Sequence, residues 1–437
     1  MSRSIVLPLA LAGAAAACGA SGGAVPAAEA ATPAQASSPQ RCEPGNGGIT
    51  LPRGFCAVVF ADVEGGPRHL AVAPDGAVYV ALAGRRAAAG GTAVPGGLLA
   101  LRDTDGDGKA DVRERVEVPA GSGVAVRDGW LYYAPNDGVL RWRLTPGRLT
   151  PAGAPETVVR GLPTGGHSAK TIALDGSGGL FVNIGSRTNA CQAADRQAGS
   201  PGVDPCVELQ ERAGVWRFDA AGTDQAQAAG ARFGTGIRNA VAITVGPGGA
   251  LYVVQHGRDQ LHASWPALFT ERQNAENPAE ELLRVERGDD FGWPYCFYSV
   301  EHSRKVLAPE YGGDGRQAGR CASAKAPLAT FPGHWAPEAI VFYTGTAFPA
   351  YYRGGAFVSF HGSWNRAPLP QEGFKVMFVP FRGGTPGAHE TFADGFRGAG
   401  EGAAAHRPMG LAVAPDGALY VSDDTGGRIW RIVYQGT

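Results

Sequence analysis

The sequence predicts an all-β chain, a six-bladed β-propeller with long inserted loops. Two observations carry that expectation. A strand–turn–strand phrase occurs six times, at intervals of about 40–100 residues, and one such unit cannot bury its own apolar faces. The chain also has 66 Gly and 32 Pro among 437 residues. With no long stretch of helical periodicity, that composition suits many short strands joined by turns.

The fullest copy spans residues 236–259, GIRNAVAITVGPGGALYVVQHGRD. Two apolar runs flank the turn Gly246-Pro-Gly-Gly, which reads as a β-hairpin. An antiparallel pair returns to its starting edge. Arg238-Asn239 before the first run and Gln255-His256-Gly257-Arg258-Asp259 after the second therefore lie on one side of the sheet. Residues 69–80, 171–182 and 409–421 repeat the phrase, residues 123–133 shorten it, and residues 339–359 carry it with a longer turn. Six blades of roughly 40–45 residues use about 250–270 positions, and the remainder falls in loops and in the N-terminal segment. Residues 55–60 and 428–434 are further β-rich runs, expected to pair and close the ring, which removes an open sheet edge.

Residues 1–17 carry Arg3, an apolar run and then small residues, the pattern of an export signal. Cys18 after Ala16-Ala17 suggests lipidation, although Ala15 stands where lipoprotein signals place Leu; ordinary cleavage among the alanines is the alternative. Residues 18–41 are too poor in apolar bulk to fold and read as a tether, leaving 42–437 for the propeller. The expected location is periplasmic, with the membrane reached only through a lipid anchor. Net charge of −1 gives no reason to expect nucleic-acid binding. Six cysteines besides Cys18 form sequence-near couples, Cys42/Cys56, Cys191/Cys206 and Cys296/Cys321, expected as disulfides in an exported chain.

Residues 103–114 match a calcium loop of the EF-hand type. Asp103, Asp105 and Asp107 take positions 1, 3 and 5, Gly108 takes 6, Asp111 takes 9 and Glu114 takes 12, with Lys109 at the main-chain position between. Alternating carboxylates around a Gly turn supply the oxygen ligands that Ca²⁺ needs. A solvated acidic turn is the plainer reading. The flanks look like strand, so the loop is expected to be a structural staple.

Gly165-Gly-His-Ser-Ala-Lys170 directly precedes the third hairpin, in the position that Arg238-Asn239 holds before its own. A lone His is more often a surface or packing residue, but His167 at the mouth of a blade is a base candidate.

With these stretches in hand a family resemblance becomes specific. GGHSAKTIALDGSGGLFVNIGSRTN, GIRNAVAITVGPGGALYVVQHGRD, RGDDFGWPYC, VFYTGTAFP, FVSFHGSWNR and HRPMGLAVAPDGALYVSDDTGGRIWRI occur in the order found in the soluble PQQ-dependent aldose and sorbosone dehydrogenases. The chain resembles that family from about Gly54 onward, and its sorbosone dehydrogenase-like branch most. The resemblance implies a propeller holding pyrroloquinoline quinone (PQQ) and Ca²⁺ over its axis. It implies oxidation of a sugar or related polyol or aldehyde by hydride transfer to the quinone, with electrons leaving to a separate quinone or cytochrome. His167 matches the base and Arg238 the Arg beside the reacting carbonyl. Asn239 and Gln255 match cofactor contacts, and the main chain of His256 and Gly257 matches the loop that cradles PQQ and its Ca²⁺. Arg407 matches a residue that neutralises the quinone's carboxylates.

The chain departs from the family pattern at three points. Met409 stands where a second basic residue is usual, His256 replaces a small residue, and the expected Lys after the fifth hairpin is either Arg366 or Lys375. Trp293, Trp335 and Trp364 are read as packing between blades rather than as sugar-stacking surfaces. A calcium-dependent sugar lactonase and a non-catalytic propeller that binds a partner protein are the alternative classes.

Overall fold

The computed structural model describes residues 42–85, 92–228, 231–400 and 403–436. The export signal, the tether and Cys18 lie outside the described residues.

Each repeated phrase forms the two inner strands of one blade of four antiparallel strands, to which blades two and three add a short fifth strand paired in parallel at the outer edge. Blade one runs Pro67–Val72, Val78–Leu82, Gly97–Arg102 and Val112–Val116 from the axis outward. Blades two to five begin on Gly121–Arg127, Ile172–Leu174, Ala242–Val245 and Pro337–Phe342. The six inner strands neighbour one another in a closed circle, so the expected six-bladed propeller is the observed fold.

Blade six joins the two ends of the chain. Its inner strands, Pro408–Val413, Leu419–Asp423 and Arg428–Tyr434, come last in the sequence, and Phe55–Asp62 completes it from the front. Pairing runs antiparallel from Phe55 against Tyr434 to Asp62 against Arg428, as expected for ring closure. Phe55 then meets Phe348 and Phe392 edge to face, at 4.7 and 5.1 Å between centroids, so closing the ring also fills the core between blades five and six.

All three disulfides form as paired from the sequence. Cys42–Cys56 fastens the N-terminal segment to the closing strand. Cys191–Cys206 and Cys296–Cys321 brace the insertions of blades three and four. Arg258 buries its guanidinium on Glu310 at 2.5 Å, and Trp265 Nε1 donates to the same carboxylate, which ties the two insertions of blade four together.

Candidate functional site

In every blade the inner strand starts, and the second strand ends, on the same face of the ring. The pleat therefore delivers Arg68, Lys170, Arg238, Glu338 and Arg407 from inner-strand starts to one axial mouth. It delivers Gln255-His256-Gly257, His361 and Asp423-Asp424 there from second-strand ends.

His167 stands on the loop before blade three. Gly166 has φ +60°, and a Cβ there would lie 2.3 Å from the Arg187 oxygen. Glycine is thus what lets this loop fold against the next. Lys170 is fully buried and donates to the carbonyls of Pro163 (2.9 Å) and Ser168 (2.8 Å), fastening the loop from below; burial lowers its ammonium to about 8. The His167 Nδ1–H donates to Ser186 O at 2.9 Å, which fixes the tautomer and leaves the Nε2 lone pair uncommitted. Burial, then the Arg238 charge, push the imidazole down to about 3, so it is neutral at ordinary pH.

Arg238 is immobilised. Its guanidinium donates to Asn189 O and Oδ1, to Gly257 O at 2.8 Å and to Asp259 Oδ2 at 3.1 Å. Burial alone would raise Asp259; Arg238 and Arg196 outweigh it and hold the carboxyl well below the usual range. Asp259 Oδ1 also accepts from Asn365 Nδ2 at 3.0 Å, which links this cluster to blade five. Gly185 allows Asn239 and His167 to approach, because a Cβ there would lie within 2.6–2.8 Å of both side chains. Asn183 donates to Asn239 Oδ1.

A second cluster gathers blades one, five and six. Arg68 pairs with Asp424 at 2.7 Å and lies 3.6 Å from Glu338. His361 Nε2 meets the other oxygen of Asp424 at 2.7 Å. Arg407 turns its guanidinium to the Gly362 carbonyl (3.1 Å) and to His361 rather than to a carboxylate, so its charge is left for an anionic partner. His256 joins the clusters, with Nε2 3.9 Å from Glu338; burial, then Arg238, lower it to about 3. Arg68 Nε, His256 Nε2 and Glu338 Oε2 are buried and make no hydrogen bond, three orphaned polar atoms meeting around Glu338.

Several expected site residues are placed differently. Gln255 accepts from the Arg238 amide through Oε1 and donates to Glu281 through Nε2, so its side chain bridges the Arg238 backbone to the next strand. The Gly257 carbonyl, expected among Ca²⁺ ligands, faces the Arg238 guanidinium, and a cation at that oxygen is a poor neighbour for a second one. Arg366 is buried on the carbonyls of Ala275, Gly333 and Pro370. Lys375 begins the third strand of blade five and pairs with Asp394 at 3.4 Å. Both are held by the scaffold rather than presented at the mouth. Met409, at the position where a second basic residue is usual, is fully buried.

The loop 103–114 is only partly assembled as a cation site. Asp103, Asp105 and Asp111 come together within 4.8 Å. Asp107 accepts from the Lys109 amide, Lys109 Nζ pairs with Glu43, and Glu114 bonds Thr150 from inside the outer strand. The ladder of blade one begins at Val112 and carries position 12 away, where an EF-hand would continue into a helix.

The sequence reading missed Arg68, Glu338, His361 and Asp424, and placed Asp259 on the right side of the sheet without giving it a role. The signal was blade equivalence, since each stands at a strand start or end matching Arg238 or Gln255–Asp259.

A family model described as TrAA12-like matches residues 49–435. The chain belongs to the TrAA12-like family. It is 27% identical over 440 residues to a pyrroloquinoline quinone-dependent pyranose dehydrogenase of Coprinopsis cinerea, covering 90% of this chain and 53% of that protein. It is 26% identical over 274 residues to an uncharacterized protein of Borreliella burgdorferi, covering 62% of this chain and 61% of the other. The chain thus spans little more than half the length of these curated relatives. Among solved structures, the holo PQQ domain of the Coprinopsis cinerea enzyme superposes with a TM-score of 0.71 at 21% identity, over 88% of this chain and 97% of that one. A calcium structure of a Trichoderma reesei family AA12 carbohydrate-active enzyme gives 0.71 at 19% identity, over 89% and 97%. At these identities the superpositions show a shared fold.

Proposed function

We propose that this chain is a PQQ-dependent sugar dehydrogenase, an exported oxidoreductase that passes electrons to a separate acceptor. One observation carries the reading: a neutral His167 with a free Nε2 lies beside an immobilised Arg238, at a mouth that also holds Arg68 and Arg407. The named Coprinopsis relative supports it.

The residues present fit the cofactor. PQQ is a planar tricarboxylate, and the mouth offers Arg407 with no carboxylate partner, Arg68 with an uncommitted Nε, and the orphaned Nε2 of His256. When bound, the quinone supplies a two-electron acceptor for the sugar carbon. His167 Nε2 takes the hydroxyl proton, and Ser186 O steadies the imidazole while it does so. Arg238, fixed by four acceptors, presents positive charge without reorganising. A Ca²⁺ beside the cofactor is not supported by Gly257, and no step is assigned to one. The lactonase alternative needs carboxylates converging on a metal, whereas at the mouth Asp259, Asp424 and Glu338 lie against arginine and Asp423 is bonded to His406 and the Arg407 amide.

The test is to titrate PQQ into the purified chain and follow quinone absorbance on adding aldoses. Saturable binding followed by sugar-dependent bleaching is expected. Absence of saturable binding would overturn the reading.

Export is consistent with the three disulfides, and no helix among the described residues is long and apolar enough to cross a membrane. The lipid anchor on Cys18, the periplasmic location and the identity of the acceptor belong to the same proposal. We further propose that Asp103, Asp105 and Asp111 hold a structural Ca²⁺. Asp105→Ala is expected to abolish the calcium dependence of the melting temperature and leave turnover unchanged. A selective loss of turnover at unchanged stability would count against it.

A further inference from the structure

The residue most at odds with its expected role is Trp364. Trp293 and Trp335 are 5% and 7% exposed and pack as expected, but Trp364 is 63% exposed. An indole this open leaves on the order of 100 Å² of apolar surface in water. Surface tryptophans often sit on mobile segments; this one does not.

Its neighbours are fastened on both sides. His361 Nε2 is bonded to Asp424 at 2.7 Å, and Gly362 O accepts from Arg407. The Ser363 amide donates to Glu372 O at 2.8 Å. Asn365 Nδ2 donates to Asp259 at 3.0 Å, and the Arg366 guanidinium is buried on two carbonyls of blade four's side of the mouth. Residues 361–366 therefore run along the rim from the Arg68–Arg407–Asp424 cluster to the Arg238–Asp259 cluster. Trp364 is the one residue of that run whose side chain lies mostly in water. An exposed indole carried on a rim segment that is bonded at one end to the Arg407–Asp424 cluster and at the other to Asp259 is a platform for a flat, partly apolar ligand.

We propose that Trp364 is a specificity residue that stacks on the C–H face of a pyranose ring during oxidation. The inference rests on the sugar dehydrogenase reading above. A ring presents one continuous C–H face to an indole, whereas a short open-chain polyol does not, so the platform selects cyclic sugars.

The experiment compares wild type, Trp364→Ala and Trp364→Phe, each first titrated with PQQ. Trp364 bonds none of the mouth's cations, so PQQ affinity is expected to be equal in all three. Trp364→Ala is expected to raise KM for a pyranose about ten-fold, the scale of one aromatic contact, with kcat changed less than about three-fold. KM for glycerol should not move, and Trp364→Phe should recover most of the loss. Calorimetry of pyranose binding to the PQQ-free proteins gives a readout independent of turnover, with wild type binding more tightly than Trp364→Ala. If wild type binds PQQ and oxidises sugars but Trp364→Ala keeps its pyranose KM, the stacking role is wrong and the dehydrogenase reading stands. If wild type neither binds PQQ nor oxidises sugars, and calorimetry finds no difference between wild type and Trp364→Ala, both fall.

Discussion

Replacing His167 with glutamine is expected to slow sugar oxidation by about 10²–10⁴-fold, the usual contribution of a positioned acid–base group. PQQ binding should be retained. The two effects separate because the groups are separate: the cations offered to PQQ are Arg407, turned to carbonyls, and Arg68, ion-paired to Asp424 but with its Nε uncommitted, whereas His167 faces the mouth from blade three. His167 suits the proposed role of base because one nitrogen is committed. Nδ1–H is held on Ser186 O at 2.9 Å, so the lone pair must lie on Nε2. Burial and Arg238 keep it unprotonated down to about 3, so the rate should show no acidic limb near the ordinary histidine pKa of about 6.5. Glutamine can keep a hydrogen bond to Ser186 but cannot take up a proton. The measurement is sugar-dependent bleaching of bound PQQ in both proteins, after absorbance has confirmed equal loading. Near wild-type bleaching in the variant would place the base elsewhere.

The parts of this protein that were legible in the sequence are those set by local pattern. The six hairpins were visible because strand alternation and Asp-Gly or Gly-Gly turns act over a dozen residues. The disulfides followed because each cysteine couple closes a short loop, and ring closure followed because an unpaired β-rich run remained at each end. His167 and Arg238, which the structure brings to one mouth, were singled out by asking which residues stand at equivalent places before a hairpin. The same question put to blades one and five yields Arg68 and Glu338, and put to the residues that follow a hairpin it yields His361 and Asp424. Arg366 and Lys375 could not be told apart in the sequence for a different reason. Both are basic residues after the right strand, and only the packing of blade five shows one buried on backbone carbonyls and the other paired outward with Asp394. Glu114 had the right spacing for a calcium loop, but strand pairing with Ala100 decided its direction. Composition gives no sign that Trp364 would be left in solvent while Trp335 is buried.

The same buried charges predict a sharp acid limit to the fold. His167 and His256 are both lowered to about 3 in the folded state, by burial first and Arg238 second. The unfolded chain takes up these two protons near pH 6.5 and the folded chain does not. Stability is therefore fully present above that value and lost as pH falls toward 3, by about 1.4 kcal/mol per pH unit for each imidazole. Glu280 acts in the opposite sense. Burial raises it to about 8, against the Gly257 and Ala336 amides that its oxygens accept from, so the folded state holds a proton that the unfolded state releases above about 4.5. Glu281 and Glu338, also raised by burial, add to that offset. Between about pH 6.5 and 4.5 the two sets oppose one another and stability should change little. Below about 4.5 the glutamates are protonated in both states and the histidines act unopposed, at about 3 kcal/mol per pH unit together. Asp259 and Asp424, held low by their arginine and histidine partners despite burial, add to the loss as they protonate. Against a typical total of about 5–15 kcal/mol, cooperative unfolding is expected between about pH 4.5 and 3. Tryptophan fluorescence and urea midpoints measured from pH 8 to 3 would show stability rising from pH 8 to about 6.5 as folded Glu280 takes up its proton, little change to about 4.5, and then a steep fall. In His167→Gln, which lacks one of the two imidazoles, the fall should begin at lower pH. A urea midpoint that stays level from about pH 4.5 to 3, and is unchanged in its pH slope by His167→Gln, would mean that the imidazoles bind protons equally in both states, and the neutral base assigned to His167 would lose its footing.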